Sequence, residues 1–371
     1  MSTTDPIAEL RRLGQSVWLD QIDRTMIRSG ALARYRDRGV TGVTANPTIF
    51  ARALESADAA YADDVERRLA RGQDAESIVW ELLIEDVQAA ADVMRPVYER
   101  ERGGDGFVSI EVSPEIAGDT ERTIAAARDL RQRTARPNVM VKIPATPAGL
   151  PAIQAMVAEG ANINVTLVFA VERYVKVVEA FLAGLERLRE RGGDLRTVHS
   201  VASFFVSRVD TKVDPLLEKK METADGQVRG LLGKAAIANS KLAYEMFGQL
   251  HLGPRWDALR DAGATVQRCL WASTSTKNPR YRDTLYVEEL IGPATVNTMP
   301  VATFEAFRDH GRVDLTLQKD VDGARRVLAE LAANGIDMAA VTQELEDEGV
   351  DSFAKSYRES IDHLRKVRTT R

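Results

Sequence analysis

Short runs rich in β-branched residues alternate along this chain with longer helical patterns, and this alternation limits the folds open to it. The eight runs are SVWLD (16–20), TGVTAN (41–46), FVSIEV (107–112), NVMVKIP (138–144), NINVTL (162–167), VASFFV (201–206), VQRCLWAS (266–273) and ATVNTMP (294–300). Strands separated by helices pair in parallel through right-handed crossovers. Eight such units close naturally into a (β/α)8 TIM barrel, which is the predicted α/β fold. The alternative is an open doubly wound sheet, but no run is followed by a Gly-x-Gly-x-x-Gly turn.

The chain is longer than a barrel requires. It has 371 residues, whereas a barrel of this kind takes about 250. We assign the surplus to helical insertions at about 52–104 and 211–262 and to a C-terminal helical region after residue 303. Apolar residues recur every three to five positions over 76–97, which predicts an amphipathic helix in the first insertion. The sequence thus predicts one barrel domain spanning residues 1–371.

Composition narrows the function classes. The chain carries 50 basic and 55 acidic residues, a net charge of -5, so no electrostatic footprint for nucleic acid or an anionic membrane is expected. The single cysteine, Cys269, cannot form an intrachain disulfide, which points to a reducing compartment. No apolar run of 18 residues occurs, and the first residues lack the apolar segment of a signal peptide. We therefore expect a cytoplasmic protein, either a monomer or a homodimer.

Polar residues alternate with apolar ones along several predicted strands. Lys142 lies between Val141 and Ile143, and Asn164 lies between Ile163 and Val165. Successive strand residues face opposite sides, so one face packs on the helices and the other carries polar groups into the barrel. Burying unpaired polar groups costs several kcal/mol each. Either a hydrogen-bond network fills the barrel, or these groups form an active site.

The position of the polar residues favours an active site. Barrel active sites are built at the C-terminal ends of the strands. Six polar residues fall at or near such ends: Asp20, Asn46, Glu111, Lys142, Thr166 and Ser273.

Lys142 is the centre of the predicted chemistry. Burial disfavours the ammonium form of a lysine and so makes a nucleophilic amine accessible, which condenses with a ketone or aldehyde to a Schiff base. The structural alternative is an ion pair with Glu111 or Asp20. Carboxylates beside such an amine serve for proton transfer. Asp23 lies past the strand end and is expected to be a surface residue or the start of a helix.

Metal and serine-nucleophile chemistry are not supported by the sequence. The four histidines are far apart and show no metal-ligand spacing. No Gly-x-Ser-x-Gly turn is present. We expect neither a metal nor another cofactor.

Four motifs in the predicted order resemble one known family. They are GVTANPTIF (42–50), VKIPAT (141–146), NINVTLVF (162–169) and SFFVSR (203–208). Together they resemble the transaldolases, most closely the longer bacterial type, over essentially the whole chain. The resemblance implies a (β/α)8 barrel with the Schiff-base lysine on strand four, where Lys142 is placed.

The resemblance also implies catalytic roles. Lys142 would form the Schiff base with the ketose carbonyl. Asp20 would take the proton from the C4 hydroxyl as the C3–C4 bond breaks. Glu111 would work with Thr166 to position a water for the carbinolamine steps.

Further residues match substrate-binding positions of the family. Those that would hold substrate hydroxyls and orient the lysine are Thr44, Asn46, Asn164 and Ser203. Arg208 matches a phosphate-binding arginine. After strand seven the family often has Ser-x-Arg; here Ser273 matches, but Ser275 occupies the arginine position. Lys277 or Arg280 would then supply the charge.

The predicted activity is transfer of a dihydroxyacetone unit between phosphorylated sugars in the pentose phosphate pathway. Donors would be sedoheptulose 7-phosphate or fructose 6-phosphate, and acceptors glyceraldehyde 3-phosphate or erythrose 4-phosphate. The alternatives are an aldolase that releases dihydroxyacetone and a non-catalytic barrel that binds sugar phosphates. Strand alternation points Ser203 and Phe205 inward and Phe204 outward, so the Phe205 ring would keep water from the bound enamine.

Overall fold

Eight parallel strands close into a barrel in which each strand pairs with the next and β8 pairs with β1. The computed structural model describes residues 5–46, 48, 51, 54, 59–221 and 227–369. The strands are β1 (Gln15–Leu19), β2 (Gly42–Val43), β3 (Val108–Glu111), β4 (Val139–Pro144), β5 (Ile163–Val168), β6 (Ser200–Phe205), β7 (Arg268–Ala272) and β8 (Thr295–Met299). The predicted (β/α)8 barrel is confirmed. Each strand lies inside its predicted run or extends at most one residue beyond it, and β2 is the strand that is much shorter than predicted.

Helices surround the barrel and fill the regions assigned as insertions. They are α1 (Pro6–Arg12), α2 (Arg24–Arg28), α3 (Ala31–Asp37), α4 (Ala59–Ala70), α5 (Ala75–Arg100), α6 (Thr120–Thr134), α7 (Gly149–Ala158), α8 (Val171–Glu190), α9 (Ser207–Met221), α10 (Ala235–Leu250), α11 (Pro254–Asp261), α12 (Leu285–Glu288), α13 (Val301–His310), α14 (Val321–Ala333) and α15 (Met338–Thr369). Short 3₁₀ turns lie at Pro114–Ile116, Leu195–Thr197 and Gln227–Leu231. Parts of the 42–50 motif and of both predicted insertions lie outside the described residues.

Two strands depart from the regular ladder at the C-terminal end of the barrel. β2 ends at Val43, and the carbonyl of Ala45, two residues farther on, accepts a hydrogen bond from Lys142 Nζ. In β5 the pairing register shifts between Val165 and Val168, and Leu167 has a φ of 57°. Leu167 lies against Gly349 of α15. Both irregularities therefore lie where the lumen opens.

The predicted alternation of faces is confirmed along β6. Ser203 hydrogen-bonds Asn164 in the lumen. Phe204 instead makes edge contacts with Trp271 and with Tyr174 of α8, on the outer face. Polar side chains therefore enter the barrel from the face opposite the helix-packed core.

The C-terminal helix α15 lies over the C-terminal end of the barrel. Trp80 of α5 donates a hydrogen bond to Tyr357 Oη over 3.0 Å. At the other side, Lys212 of α9 pairs with Glu344 and Glu348. A separate apolar cluster joins α4, α5 and α15 through Tyr61, Ile78, Leu82, Tyr357 and Ile361. The predicted C-terminal helical region therefore covers the mouth of the barrel.

Arg24 holds the first insertion against the barrel. Its side chain is 5% exposed, and its guanidinium lies 2.6 Å from Asp86 Oδ1 and 2.5 Å from Asp64 Oδ2. Tyr61 Oη donates to the other Asp86 oxygen over 2.6 Å. Asp86 and Asp64 come from α5 and α4, so one buried cation joins three helices.

We predict that Arg24→Met lowers the free energy of unfolding by about 3–5 kcal/mol, because it leaves the buried Asp86 carboxylate without its cation. Arg128→Met is the matched control. Arg128 is 57% exposed and pairs with Glu159, so its loss should change the free energy of unfolding far less than the loss of Arg24. Urea unfolding of both variants gives the comparison, and equal losses would contradict a special role for Arg24.

Candidate active site

Three inward-facing side chains lie side by side on neighbouring strands. Glu111 of β3 is in register with Lys142 of β4, and Lys142 is in register with Asn164 of β5. Register pairs on adjacent strands place their side chains next to each other on one face of the sheet. The barrel therefore sets a carboxylate, an amine and an amide in one row.

Lys142 forms a buried ion pair with Glu111. Lys142 Nζ lies 3.0 Å from Glu111 Oε2, and the two side chains are 5% and 2% exposed. The same ammonium donates a hydrogen bond to the carbonyl of Ala45 over 3.1 Å. Of the two partners that the sequence left open, Glu111 is therefore the one in direct contact.

Asp20 lies just past β1 and forms a second polar group at the same level. Thr44 Oγ1 donates to Asp20 Oδ1 over 2.9 Å and lies 2.8 Å from Thr298 Oγ1. Burial raises the pKa of the Asp20 carboxyl, while the positive charge of Lys142 and the Thr44 hydrogen bond act in the opposite direction. Asp20 therefore holds its proton to a higher pH than an ordinary aspartate.

Glu111 and Thr166 have hydrogen-bonding capacity that the described residues do not use. Burial raises the pKa of Glu111, and the negative charge of Asp20 adds to this effect, while Lys142 lowers it. Within the described part of the chain, the Glu111 oxygens make only the ion pair, and Thr166 Oγ1 has no hydrogen-bond partner. Buried polar groups of this kind normally bind a water or a substrate hydroxyl.

Asn164 is held by two serines. Its Nδ2 donates to Ser109 Oγ over 3.0 Å, and its Oδ1 accepts from Ser203 Oγ over 2.7 Å. The amide orientation next to Lys142 is thereby fixed. Ser109 was not among the predicted site residues, although its inward parity on β3 could have identified it.

A cavity of about 870 Å³ opens at the C-terminal ends of the strands, and Glu111, Lys142 and Asn164 are not among its lining residues. Of the predicted site residues, it is lined by Asp20, Asn46, Arg208, Ser273 and Lys277. The cavity also has lining residues that the sequence did not identify: Gln21, Thr25, Thr48, Thr211, Ser275, Ser352 and Phe353. Ser352 and Phe353 come from α15, more than two hundred residues after Lys142 in the chain.

Two cationic side chains line the cavity, those of Arg208 and Lys277. The Arg208 guanidinium lies 5.1 Å from the centre of the Phe205 ring and forms no ion pair with any described residue. Lys277 is exposed, and its ammonium donates to Ser275 Oγ over 2.6 Å. Arg280, the sequence's second candidate, instead pairs with Glu218 of α9 and does not line the cavity. The geometry therefore favours Lys277 over Arg280.

Phe205 lies inward as predicted, at the top of β6. Its ring centre is 5.1 Å from that of Phe169. Asp23, expected to be a surface residue or the start of a helix, accepts a hydrogen bond from Met26 N and so caps α2.

The described residues contain no group of three His, Cys, Asp or Glu side chains that could hold a metal ion. Among the described helices, none combines the length and apolarity that a membrane span requires.

Comparisons with known proteins agree with this geometry. The family model described as transaldolase/fructose-6-phosphate aldolase matches residues 17–364. A transaldolase of Thermobifida fusca is 51% identical over 361 residues, covering 97% of each chain. A transaldolase of Acidothermus cellulolyticus is 50% identical, covering 96% of this chain and 95% of its own. A transaldolase of Mycolicibacterium smegmatis is 47% identical, covering 98% and 97%.

These matches confirm the resemblance that the four motifs carried. The chain therefore belongs to the transaldolase/fructose-6-phosphate aldolase family and is an enzyme with transaldolase function.

Proposed function

We propose that this enzyme transfers a dihydroxyacetone unit through a Schiff base on Lys142. The donors are sedoheptulose 7-phosphate or fructose 6-phosphate, and the acceptors are glyceraldehyde 3-phosphate or erythrose 4-phosphate. The observation that carries the proposal is the buried contact of 3.0 Å between Lys142 Nζ and Glu111 Oε2, near Asp20, which lines an open polar cavity.

The first step prepares the amine. Proton transfer from the Lys142 ammonium to the Glu111 carboxylate leaves a neutral amine and a neutral acid. The raised pKa of Glu111 favours this transfer. The amine adds to the ketose C2 carbonyl, and the carbinolamine then loses water as Glu111 returns the proton to the departing hydroxyl. Thr166, buried beside this path, supplies the hydrogen bond that positions the water.

The second step breaks the C3–C4 bond. Asp20 takes the proton of the C4 hydroxyl, the aldose phosphate leaves with a new carbonyl at C4, and the bond electrons pass to the iminium to form an enamine. The acceptor aldehyde then reacts with the enamine carbon, and Asp20 returns its proton to the new hydroxyl. Water adds to the iminium that results, and the carbinolamine releases the product ketose and the Lys142 amine in the reverse of the first step. We propose Thr44, Asn46, Asn164, Ser203 and Ser273 as the groups that hold the substrate hydroxyls.

The iminium itself accepts the electron pair, so we propose that the reaction uses neither a metal nor another cofactor. We further propose that the chain acts as one barrel domain in the cytoplasm, as a monomer or homodimer, with sugar phosphates and not nucleic acid or membrane as its partners. The buried, unpaired thiol of Cys269 supports the reducing location.

Whether the enamine waits for an acceptor decides between transferase and lyase. Protonation of its carbon followed by hydrolysis would release dihydroxyacetone and make the enzyme an aldolase. Phe205 and Phe169 place two rings at the top of the lumen beside Arg208. We propose that these rings exclude the water and proton donors that release requires.

We predict that borohydride with fructose 6-phosphate, in the presence of EDTA, traps an adduct on Lys142 and that Lys142→Ala forms none. Lys241→Met is the matched control, because Lys241 is also buried and also bonds a backbone carbonyl, over 3.0 Å, but lies on helix α10 and not on a strand of the barrel. Asp20→Asn should still form the adduct and lose turnover by about 10²–10⁴-fold, since only the proton acceptor is gone. Peptide mass mapping identifies the labelled lysine, and an adduct on another residue would refute the proposal.

We predict that Arg208→Ala raises KM for phosphorylated donors far more than for dihydroxyacetone, because a charge-assisted contact with phosphate contributes about 1.5–3 kcal/mol. Lys277→Ala should act in the same direction but less, since Lys277 is exposed. Arg128→Ala is the control and should leave both KM values unchanged, because Arg128 is exposed, pairs with Glu159 and does not line the cavity. Equal losses on phosphorylated and unphosphorylated substrates would assign these residues to structure instead.

We predict that Phe205→Tyr raises the release of free dihydroxyacetone relative to transfer while the Schiff base still forms, because the new hydroxyl can hold a water near the enamine. Phe204→Tyr adds the same hydroxyl on the outer face of β6 and should leave the product ratio unchanged. Both products are assayed with and without acceptor. Rapid release by the unmodified enzyme without acceptor would favour the aldolase, and an unchanged ratio in Phe205→Tyr would make Phe205 a packing residue.

A further inference from the structure

Three acidic residues of α9 form a row that the proposed reaction does not use. Asp210, Asp214 and Glu218 follow one another at intervals of four, so they share one face of the helix. Asp210 and Asp214 are only 2% and 5% exposed. No described cation is within ion-pair distance of either. Burying a carboxylate without a cation costs free energy unless other groups hydrogen-bond to it. The hydrogen-bond partners of Asp210 and Asp214 therefore indicate which parts of the chain these residues hold in place.

Each acid of this row binds the segment that follows β7. Asp210 Oδ2 accepts from Tyr286 Oη over 2.9 Å, and Asp214 Oδ2 accepts from Tyr281 Oη over 2.6 Å. Glu218 pairs with Arg280. The other oxygens of the two aspartates accept the backbone N–H groups of Ala236 and Gly233 over 2.8 and 3.0 Å. All four aspartate oxygens are therefore occupied.

The same segment is also fixed at its start. Ser273, whose φ is 57°, lies with its Oγ 2.9 Å from Ser207 Oγ, and its carbonyl accepts from Ser207 N over 3.0 Å. Farther along, Thr276 Oγ1 donates to the carbonyl of Arg282 over 2.8 Å. Residues 273–286, which we call the β7–β8 segment, thus run along α9 from its first residue.

The two cations that line the cavity come from the two elements in contact, one from α9 and the other from the β7–β8 segment. Arg208 is in the first turn of α9, whereas Lys277 is in the β7–β8 segment. Lys277 is exposed, and its ammonium has only the Ser275 hydroxyl as a described partner. Its distance from Arg208 therefore depends on how the segment is docked against α9.

We propose that the acidic face of α9 positions the phosphate site: Asp210, Asp214 and Glu218 dock the β7–β8 segment through Tyr286, Tyr281 and Arg280, and this docking sets Lys277 opposite Arg208. The inference rests on the proposed function, since it assigns Lys277 to the substrate phosphate. Tyr281 and Asp214 are positioning residues, because neither lines the cavity.

The contact between Tyr281 and Asp214 is the best place for a test. Burial, together with the charge of Asp214, raises the pKa of Asp210 to about 7, so changes at Asp210 would mix docking with a change of protonation. Tyr281→Phe removes one hydroxyl and keeps the ring. That ring covers Gly233, where a Cβ would lie 2.8 Å from it, so the packing is retained.

The experiment measures the donor concentration that gives half-maximal borohydride trapping on Lys142, with fructose 6-phosphate and with fructose. Tyr281→Phe should raise this concentration for fructose 6-phosphate by roughly three- to tenfold, less than the loss of a whole charged contact, because the Asp210 and Glu218 contacts remain. The value for fructose should not change. Tyr174→Phe is the control: it removes another buried tyrosine hydroxyl, which contacts Cys269, and should change neither value.

A double mutant tests whether Tyr281 acts through Lys277. If it does, Tyr281→Phe combined with Lys277→Ala should need no higher concentration of fructose 6-phosphate for half-maximal trapping than Lys277→Ala alone. The proposal would be overturned if the effects of the two substitutions multiplied in the double mutant, or if Tyr281→Phe shifted the values for both donors equally. It would also be overturned if Lys277→Ala alone had no effect. A failure of the proposed Schiff-base function can be told apart from a failure of this inference. In the first case, trapping on Lys142 would be absent in the unmodified enzyme, with fructose as well as with fructose 6-phosphate.

Discussion

The buried ion pair between Lys142 and Glu111 is the constraint on which the rest of the site depends. Removing two charges from water costs several kcal/mol for each ion, and a well-packed apolar pair is often at least as stable. A barrel that needed only a filled core would gain little from this pair. Its presence in register on β3 and β4 therefore favours the proposed chemistry, in which proton exchange between the two groups would supply a neutral amine inside the protein.

The lumen below this pair is closed, which leaves the C-terminal mouth as the side on which the cavity opens. Trp18 Nε1 donates to Asp105 over 2.8 Å, and Arg268 lies over the Trp18 ring and donates to Ser16 Oγ. Gly42 of β2 is required there, because a Cβ would lie 2.5 Å from the Trp18 ring. The filled lower layers hold the strands that carry Asp20 and Lys142 at their upper ends.

The mouth is built by different parts of the chain from those that form the lumen. Helix α15 covers one side and contributes Phe353, while α9 and the β7–β8 segment contribute Arg208 and Lys277. The amine and its carboxylates are thus held by strands, and the cations by helices and a loop. Under the proposed function, this division would let the phosphate-binding cations differ from the Ser-x-Arg pattern to which the chain was compared without disturbing the strand residues assigned to the chemistry.

The sequence by itself determined the barrel and the inward row of Glu111, Lys142 and Asn164. Both follow from local geometry: strands alternate with helices, and side chains alternate faces along each strand. Only the tertiary structure decided that Glu111, and not Asp20, contacts Lys142 directly, since this depends on the register between strands. It also decided that Arg280 pairs with Glu218 and that α15 reaches the cavity. Those contacts join residues tens to hundreds of positions apart, and no local periodicity records which distant segments meet.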